Sequence, residues 1–252
     1  MNEIRHGDLP VGKLTRDDLY SLEKYAAIRP EFRARVIAHK ANRRLAIGAH
    51  ATLYFEDSLT MQYQVQEMLR LERIFEPEGI QQELDVYNPL IPDGSNWKAT
   101  FMVECEDVGE RRAALSRLKG IEKTVWVRAE GCAKVYPIAN EDMDRETEDK
   151  TSAVHFLRFE LKPEMVAAIK RGATVRAGID HPNYREEVEL PPQVRSSLAG
   201  GDLRGVMWRA VWDCETRGRA PINHSMIRTD WATNARGEFM LPSAQSVGYL
   251  YR

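Results

Sequence analysis

The sequence has little cysteine and lacks the short motifs that mark the common cofactor and catalytic sites. Its three cysteines, Cys105, Cys132 and Cys214, are far apart and form no C-x-x-C pair, so the chain alone is a poor host for a zinc knuckle or an iron–sulfur cluster. It contains no G-x-G-x-x-G, G-x-x-x-x-G-K-S/T, H-E-x-x-H or G-x-S-x-G motif. A dinucleotide-binding protein, a P-loop protein, a zinc protease and an α/β-hydrolase therefore lack their usual sequence support.

Long apolar runs and an excess of charge of either sign are also missing. The 252 residues carry 36 Lys and Arg against 38 Asp and Glu, a net charge of −2. The chain therefore lacks the overall excess of positive charge that is typical of nucleic-acid-binding proteins. No apolar run approaches the ~20 residues of a membrane span, and residues 1–14 lack the apolar core of a signal peptide. We therefore expect a cytoplasmic globular protein that binds neither nucleic acid nor membranes.

The order of the predicted elements favours an α+β fold. About six strands and six helices are expected in a mixed order, which favours a mostly antiparallel sheet packed by helices over a doubly wound α/β fold. A first helix is predicted to begin after Thr15 and to break at Pro30. Ser58 is predicted to cap a longer helix over residues 59–75, whose apolar residues have helical spacing.

Strand patterns are clearest in the second half of the chain. Residues 153–161 have the best strand pattern, and residues 173–179 alternate between apolar and polar side chains. Residues 125–128 and 132–138 fit the two strands of a hairpin.

Three segments are predicted along the chain. Residues 1–14 are expected to be a flexible leader, 15–200 a single α+β domain, and 201–252 a poorly structured or appended C-terminal segment. The last segment holds seven arginines, no lysine and three of the five tryptophans, without a helical or a strand period. It is either a small appended subdomain or the product of a lost stop codon, and aromatic residues without periodicity slightly favour the second explanation.

Charged side chains on the predicted long helix are candidates for a catalytic site. Glu67 and Arg70 are i, i+3 neighbours and fit a polar strip that faces a cleft, with Glu67 as a general acid or base or a metal ligand. Arg70, or Arg158 on the predicted strand, would then hold an anionic substrate. The plainer alternative is an ion-paired helix face exposed to solvent, which contributes little to stability.

Three histidines are candidate metal ligands. His50 shares a strand face with a carboxylate, and His155 is expected to point into the core. His181 precedes Pro182, which holds it extended, either in a loop that aims the ring at a site or at the end of a strand. Together with Glu67 they offer enough nitrogen and oxygen ligands for iron, manganese or zinc, provided that they converge in space. For His155, burial with a single hydrogen-bond partner is the more common outcome.

Six blocks of the sequence resemble, in order, one family of bacterial proteins. This is the domain-of-unknown-function family numbered thirty-five hundred and one, and the resemblance covers about residues 13–199. The blocks are KLTRDDL (13–19), RPEFR (29–33), FED (55–57) running to YQVQEMLR (63–70), ELDVYNPLIP (83–92), TSAVHFLRF (151–159) and DHPNY (180–184).

The resemblance implies a setting rather than a reaction. Family members tend to be encoded beside rubrerythrin-like and cysteine-rich iron–sulfur proteins, which implies a redox or oxidative-stress setting. No catalytic residues are established in the family. Its members normally end near position 200, so residues from Gly201 onward depart from its pattern.

Three hypotheses about function follow. The first is an accessory or binding protein whose redox partner, a rubrerythrin-like or iron–sulfur protein, holds the metal or cluster. The alternative is a metal-dependent enzyme that acts on a small anionic substrate through His50, Glu67, His155 and His181. The third and weakest is a structural or oligomeric module without a site.

Overall fold

A computed structural model describes residues 12–105, 107–141 and 150–203. It confirms an α+β fold with antiparallel sheets. The described helices are α1 (Leu22–Ala41), α2 (Ser58–Glu72), α3 (Pro77–Tyr87), α4 (Val108–Arg117), α5 (Pro163–Lys170) and α6 (Pro192–Gly201). The described strands are β1 (Arg44–Ile47), β2 (Ala51–Phe55), β3 (Asn96–Val103), β4 (Val125–Ala129), β5 (Ile138–Ala139), β6 (Val154–Glu160), β7 (Val175–His181) and β8 (Tyr184–Glu189).

The described residues divide into two compact units. The first, which we call the helical unit, comprises residues 12–41 and 57–91, and the second, the sheet unit, comprises residues 42–56 and 92–203. None of the described helices is long and apolar enough to cross a lipid bilayer. The predicted segments 1–14 and 201–252 lie mostly outside the described residues, so their boundaries stay predictions.

Helix α2 lies at the centre of the helical unit. Asp57, not Ser58, is its N-cap: the Asp57 carboxylate accepts the Thr60 backbone N–H at 2.9 Å, and the Thr60 hydroxyl accepts the Asp57 N–H at 2.9 Å. The helix ends at Glu72 because the next residue, Arg73, adopts a left-handed conformation. Every residue from Leu59 to Leu69 is buried, so the hypothesis of a solvent-exposed polar face is wrong.

The predicted break at Pro30 is also wrong. Proline removes one backbone donor from a helix interior, yet α1 continues through Pro30 to Ala41. Tyr25, Phe32 and Val36 are buried on one face of α1 and belong to the same apolar cluster as Leu59 and Tyr63 of α2. We infer that packing along this whole face outweighs the cost of the missing hydrogen bond.

The sheet unit contains two antiparallel sheets around one apolar core. The five-stranded sheet has the order β1-β2-β3-β6-β5, and the three-stranded sheet has the order β4-β7-β8. The core contains strand residues of both sheets, among them Trp97, Phe101, Phe159 and Val125, and these pack with apolar residues of α4, α5 and α6. Because only one face of each strand meets this core, polar residues gather on the other face.

The predicted hairpin between 125–128 and 132–138 is not formed. The β-ladder of β4 is made with β7. Among the described residues the second segment meets β4 at one bridge, between Val127 and Val135, and its last residue, Ile138, pairs with Arg158 of β6. Strand β8 was not predicted from the sequence. It is an edge strand whose side chains are exposed or half-buried throughout, so it carries no alternation of apolar residues.

A buried arginine holds the end of α6 against the start of the five-stranded sheet. The Arg43 guanidinium donates to Asp202 Oδ2 at 2.6 Å and to the Phe55 carbonyl oxygen at 2.9 Å. Arg43 and Asp202 are 1% and 4% exposed, and Leu203 is fully buried. The packed chain thus continues at least to Leu203, three residues past the predicted boundary at 200.

Candidate functional site

The Glu67 carboxylate accepts four hydrogen bonds inside the helical unit. Its Oε1 accepts from the Tyr25 hydroxyl at 2.6 Å and from Arg29 Nε at 2.8 Å. Its Oε2 accepts from Arg29 Nη2 at 2.8 Å and from Arg70 Nη2 at 3.0 Å. The i, i+3 contact with Arg70 follows from the sequence, whereas Tyr25 and Arg29 come from α1, about forty positions earlier.

These contacts decide the charge of Glu67. Burial alone would raise the pKa of its carboxyl, but the hydrogen bonds from Arg29, Tyr25 and Arg70 outweigh burial and lower the pKa to about 2. Burial and the bond to Glu67 raise the pKa of Tyr25 in turn. A carboxylate with so low a pKa carries no proton at neutral pH, so this arrangement suits an electrostatic anchor between α1 and α2 better than a general acid or base.

Arg158, the other predicted anion-binding residue, is engaged at the surface of the sheet unit. Its Nε and Nη2 each lie 2.7 Å from an oxygen of the Glu141 carboxylate, and it also contacts Glu160. The paired guanidinium is therefore already occupied by carboxylates of the protein itself.

His50 lies on the surface, directly before β2. Its backbone N–H donates to the Tyr184 hydroxyl at 3.0 Å, and its Nδ1 lies 3.2 Å from the Glu104 carbonyl oxygen and 3.9 Å from Cys105 Sγ. It is exposed, so the side chain remains reachable from solvent.

His155 points into the core, as predicted, and is fully buried. Its Nδ1 lies 3.0 Å from the Asn140 amide nitrogen, and its Nε2 lies 3.0 Å from the Ser152 carbonyl oxygen and 3.1 Å from the Thr151 hydroxyl. An amide donor at Nδ1 and a carbonyl acceptor at Nε2 fit the neutral tautomer that is protonated at Nε2.

His181 is the last residue of β7, which is the second of the two predicted positions. Its Nε2 lies 3.0 Å from the Lys119 carbonyl oxygen, and its Nδ1 accepts the Asn183 N–H at 3.2 Å. The ring is 6% exposed. Both ring nitrogens are thus bound to the backbone of the protein.

The predicted metal ligands each have different partners in the structure. Glu67 belongs to the helical unit, whereas His50, His155 and His181 belong to the sheet unit, and each has its own partners. Within the residues that the structure describes, no group of three or more His, Cys, Asp or Glu side chains is placed to hold a metal ion.

A charged cavity at the three-stranded sheet was not foreseen from the sequence. Its volume is about 390 Å³, within the usual size range of small-molecule sites. Most of its wall is polar or charged, which is unusual for such sites. The lining residues are Arg128, Glu130, Gly131, Cys132, Thr174, Arg176 and Glu189.

The register of three strands places the charges of this cavity. Arg128 of β4 pairs directly with Arg176 of β7, and Arg176 pairs with Glu189 of β8. Like charges opposite each other are unfavourable in a sheet, but here one oxygen of Glu187 receives both arginines, Nη1 of Arg176 at 3.0 Å and Nη2 of Arg128 at 3.4 Å. The bond to Glu187, followed by the nearby acidic charges, raises the pKa of Arg176.

Because β8 has no recognisable sequence pattern, the register that builds this wall cannot be inferred from the sequence. The one available signal is the density of charge in Tyr184–Glu189, a short segment that holds three glutamates and an arginine. Cys132, at the same wall, is a free, half-buried thiol.

Comparisons with known proteins agree with the resemblance seen in the sequence. A crystal structure from Burkholderia pseudomallei, described as a novel protein of unknown function, shares 54% sequence identity and a TM-score of 0.71, and the match covers 75% of this chain and 98% of that chain. No curated protein matches the chain. Residues 13–203 match the family model described as "Protein of unknown function (DUF3501)", and the chain belongs to that family.

Proposed function

We propose that this protein is an accessory binding protein that takes a small charged ligand into the cavity of the sheet unit and works with a redox partner. The observation that carries the proposal is the cavity itself, with two guanidinium groups, two carboxylates, a hydroxyl and a thiol in one wall. Such convergent polar groups in a concave site are the usual basis of small-ligand recognition.

The state of the predicted catalytic residues supports binding rather than catalysis. Glu67 is held ionised by Arg29 and Arg70, and Arg158 is paired with Glu141. None of these side chains lines the cavity. The Arg128 and Arg176 side chains of the cavity wall are 38% and 50% exposed, and ion pairs this exposed are weak enough to exchange for bonds to a ligand.

The thiol of Cys132 supports the redox setting. It lines the cavity beside charged side chains, so a bound ligand would cover it. The partner would be a rubrerythrin-like or iron–sulfur protein that itself holds the metal or cluster, as the family resemblance implies. Stoichiometric iron, manganese or zinc in the purified protein would favour the alternative of a metal-dependent enzyme with His50, His155 or His181 as ligands.

The cavity is tested with Cys132 as a reporter. In a chain carrying Cys105→Ala and Cys214→Ser, only Cys132 can be alkylated by N-ethylmaleimide. We expect at least one probe among succinate, putrescine and triglycine to slow alkylation saturably. Arg176→Gln should weaken that protection about ten-fold, whereas Arg112→Gln on the exposed side of α4 should not. A rate unchanged by all three probes at millimolar concentration would overturn the proposed function.

A further inference from the structure

We infer that the ligand of this cavity is a zwitterion, an amino acid or short peptide with a free carboxylate and a free ammonium group. The inference rests on the proposed function and names the class of ligand. It is carried by the balance and the placement of the charges in the cavity wall.

The two arginines form the carboxylate-binding part of the wall. Their guanidinium groups come from directly opposed positions on β4 and β7, and both already reach one oxygen of the Glu187 carboxylate. This contact shows that Arg128 and Arg176 can hold one carboxylate oxygen between them. Each guanidinium has five N–H donors, so a ligand carboxylate can bind beside Glu187 or replace it.

Two glutamates form the ammonium-binding part. Glu189 lies opposite Arg176 on β8, and its Oε2 is 3.9 Å from Arg176 Nη2, which is too long for a hydrogen bond. Glu130 lines the same cavity, and its exposed carboxylate has no hydrogen-bond or ion-pair partner among the described residues. Both carboxylates therefore retain acceptor capacity for an ammonium group.

The spacing of the strands sets the distance between the carboxylate-binding and the ammonium-binding side chains. Neighbouring strands lie ~4.8 Å apart, so the row from Arg128 through Arg176 to Glu189 places positive and negative groups within one or two strand spacings. An amino acid or short peptide carries its own charges over a similar distance. Long, partly exposed Arg and Glu side chains can adjust the remaining difference.

The same wall disfavours the other ligand classes. A dianion would place a second negative charge against Glu130 and Glu189, and a diamine would place a second positive charge against the arginines. Like-charge contacts of this kind are the usual means by which a site rejects a wrong ligand. An apolar ligand would desolvate four charged groups without replacing their bonds to water.

Three peptides that differ only in their terminal charges test the inference. Triglycine carries both charges, N-acetyl-triglycine only the carboxylate, and triglycine amide only the ammonium. In the Cys132 alkylation assay we expect triglycine to protect at least ten-fold more strongly than either capped form. Arg176→Gln should abolish the preference for triglycine over its amide, and Glu189→Gln the preference over the acetylated form.

The outcomes separate the inference from the proposed function. If N-acetyl-triglycine or succinate protects Cys132 as well as triglycine does, the cavity binds anions and the zwitterion inference is wrong while the proposed function stands. If putrescine or triglycine amide protects best, the cavity binds cations, and again the zwitterion inference is wrong while the proposed function stands. If no compound protects the thiol, both the inference and the proposed function fail.

Discussion

The Arg29 guanidinium bonds to both oxygens of the Glu67 carboxylate, at 2.8 Å for each contact, and so ties α1 to α2. Glu67 is 1% exposed, whereas the Arg29 side chain is 25% exposed. The negative charge is therefore the buried member of the pair, and its charge depends on donors that still reach solvent. The stability of the helical unit should depend on this one carboxylate.

Replacing Glu67 with glutamine should destabilise the protein strongly. The neutral amide cannot accept both bonds from Arg29 and leaves Tyr25 and Arg70 without their anion. A hydrogen bond to a charged group contributes about 1.5–3 kcal/mol, so weakening several of these bonds at once should cost about 3 kcal/mol or more. Urea unfolding at pH 7 should show this loss, while Glu31→Gln, an exposed position on α1, should change the free energy of unfolding by less than ~0.5 kcal/mol.

The same carboxylate should make the protein sensitive to acid. The pKa of Glu67 lies at about 2 in the folded chain against an ordinary value of 4.5. Its contribution to stability is therefore complete above pH 4.5 and is lost as the pH falls towards 2. Free energies of unfolding measured between pH 6 and 2.5 should fall more steeply for the wild type than for Glu67→Gln. Parallel pH curves for the two proteins would contradict this assignment.

Glu83 of α3 should have the opposite pH dependence. It is 3% exposed, its Oε2 has no hydrogen-bond partner in the described structure, and burial followed by the charge of Glu72 raises its pKa to about 7. Because folding favours the protonated form, its contribution is complete below pH 4.5 and is lost as the pH rises through 7.

Glu83→Gln should remove this loss because the amide does not titrate. Its stability relative to the wild type should rise by about 2–3 kcal/mol between pH 4.5 and pH 8, at ~1.4 kcal/mol per pKa unit. Glu72→Gln is the second test, since it removes the neighbouring negative charge but leaves Glu83 ionisable. In that variant the titration of Glu83 should move to lower pH, whereas an unchanged midpoint would show that Glu72 has no influence.

The sequence predicted those features that depend on neighbours along the chain. The apolar spacing of residues 59–75 identified α2, and strand parity placed His155 in the core. The cap was assigned to Ser58 because Asp57 and Ser58 are both good N-cap residues, and only the reciprocal bonds with Thr60 distinguish them.

Features that depend on distant segments could not be predicted. Nothing in the sequence shows that Arg29 reaches Glu67 from another helix. The cavity depends on the register of β4, β7 and β8, and β8 has almost no apolar residues to reveal it. The convergence of the four candidate metal ligands was a guess about such distant contacts, and the described structure gives each of them separate partners.

The end of the folded unit can be located by shortening the chain at two nearby positions. A chain that ends at Ala199 loses Asp202, which leaves Arg43 buried without its carboxylate, and loses the buried side chain of Leu203. Removing one member of a buried ion pair should by itself cost about 3–5 kcal/mol. A chain that ends at Leu203 keeps both contacts and coincides with the end of the family match.

Thermal unfolding distinguishes the two shortened chains. We expect the chain that ends at Leu203 to melt within ~2 °C of the full chain. The chain that ends at Ala199 should melt at least ~10 °C lower, since 1 kcal/mol shifts Tm by ~2–4 °C in a domain of this size. Asp202→Asn in the full chain is the matched control, because it weakens the Arg43 contact without shortening the chain and should reproduce a large part of the loss. A strong loss of stability in the chain that ends at Leu203 would instead show that residues 204–252 belong to the fold.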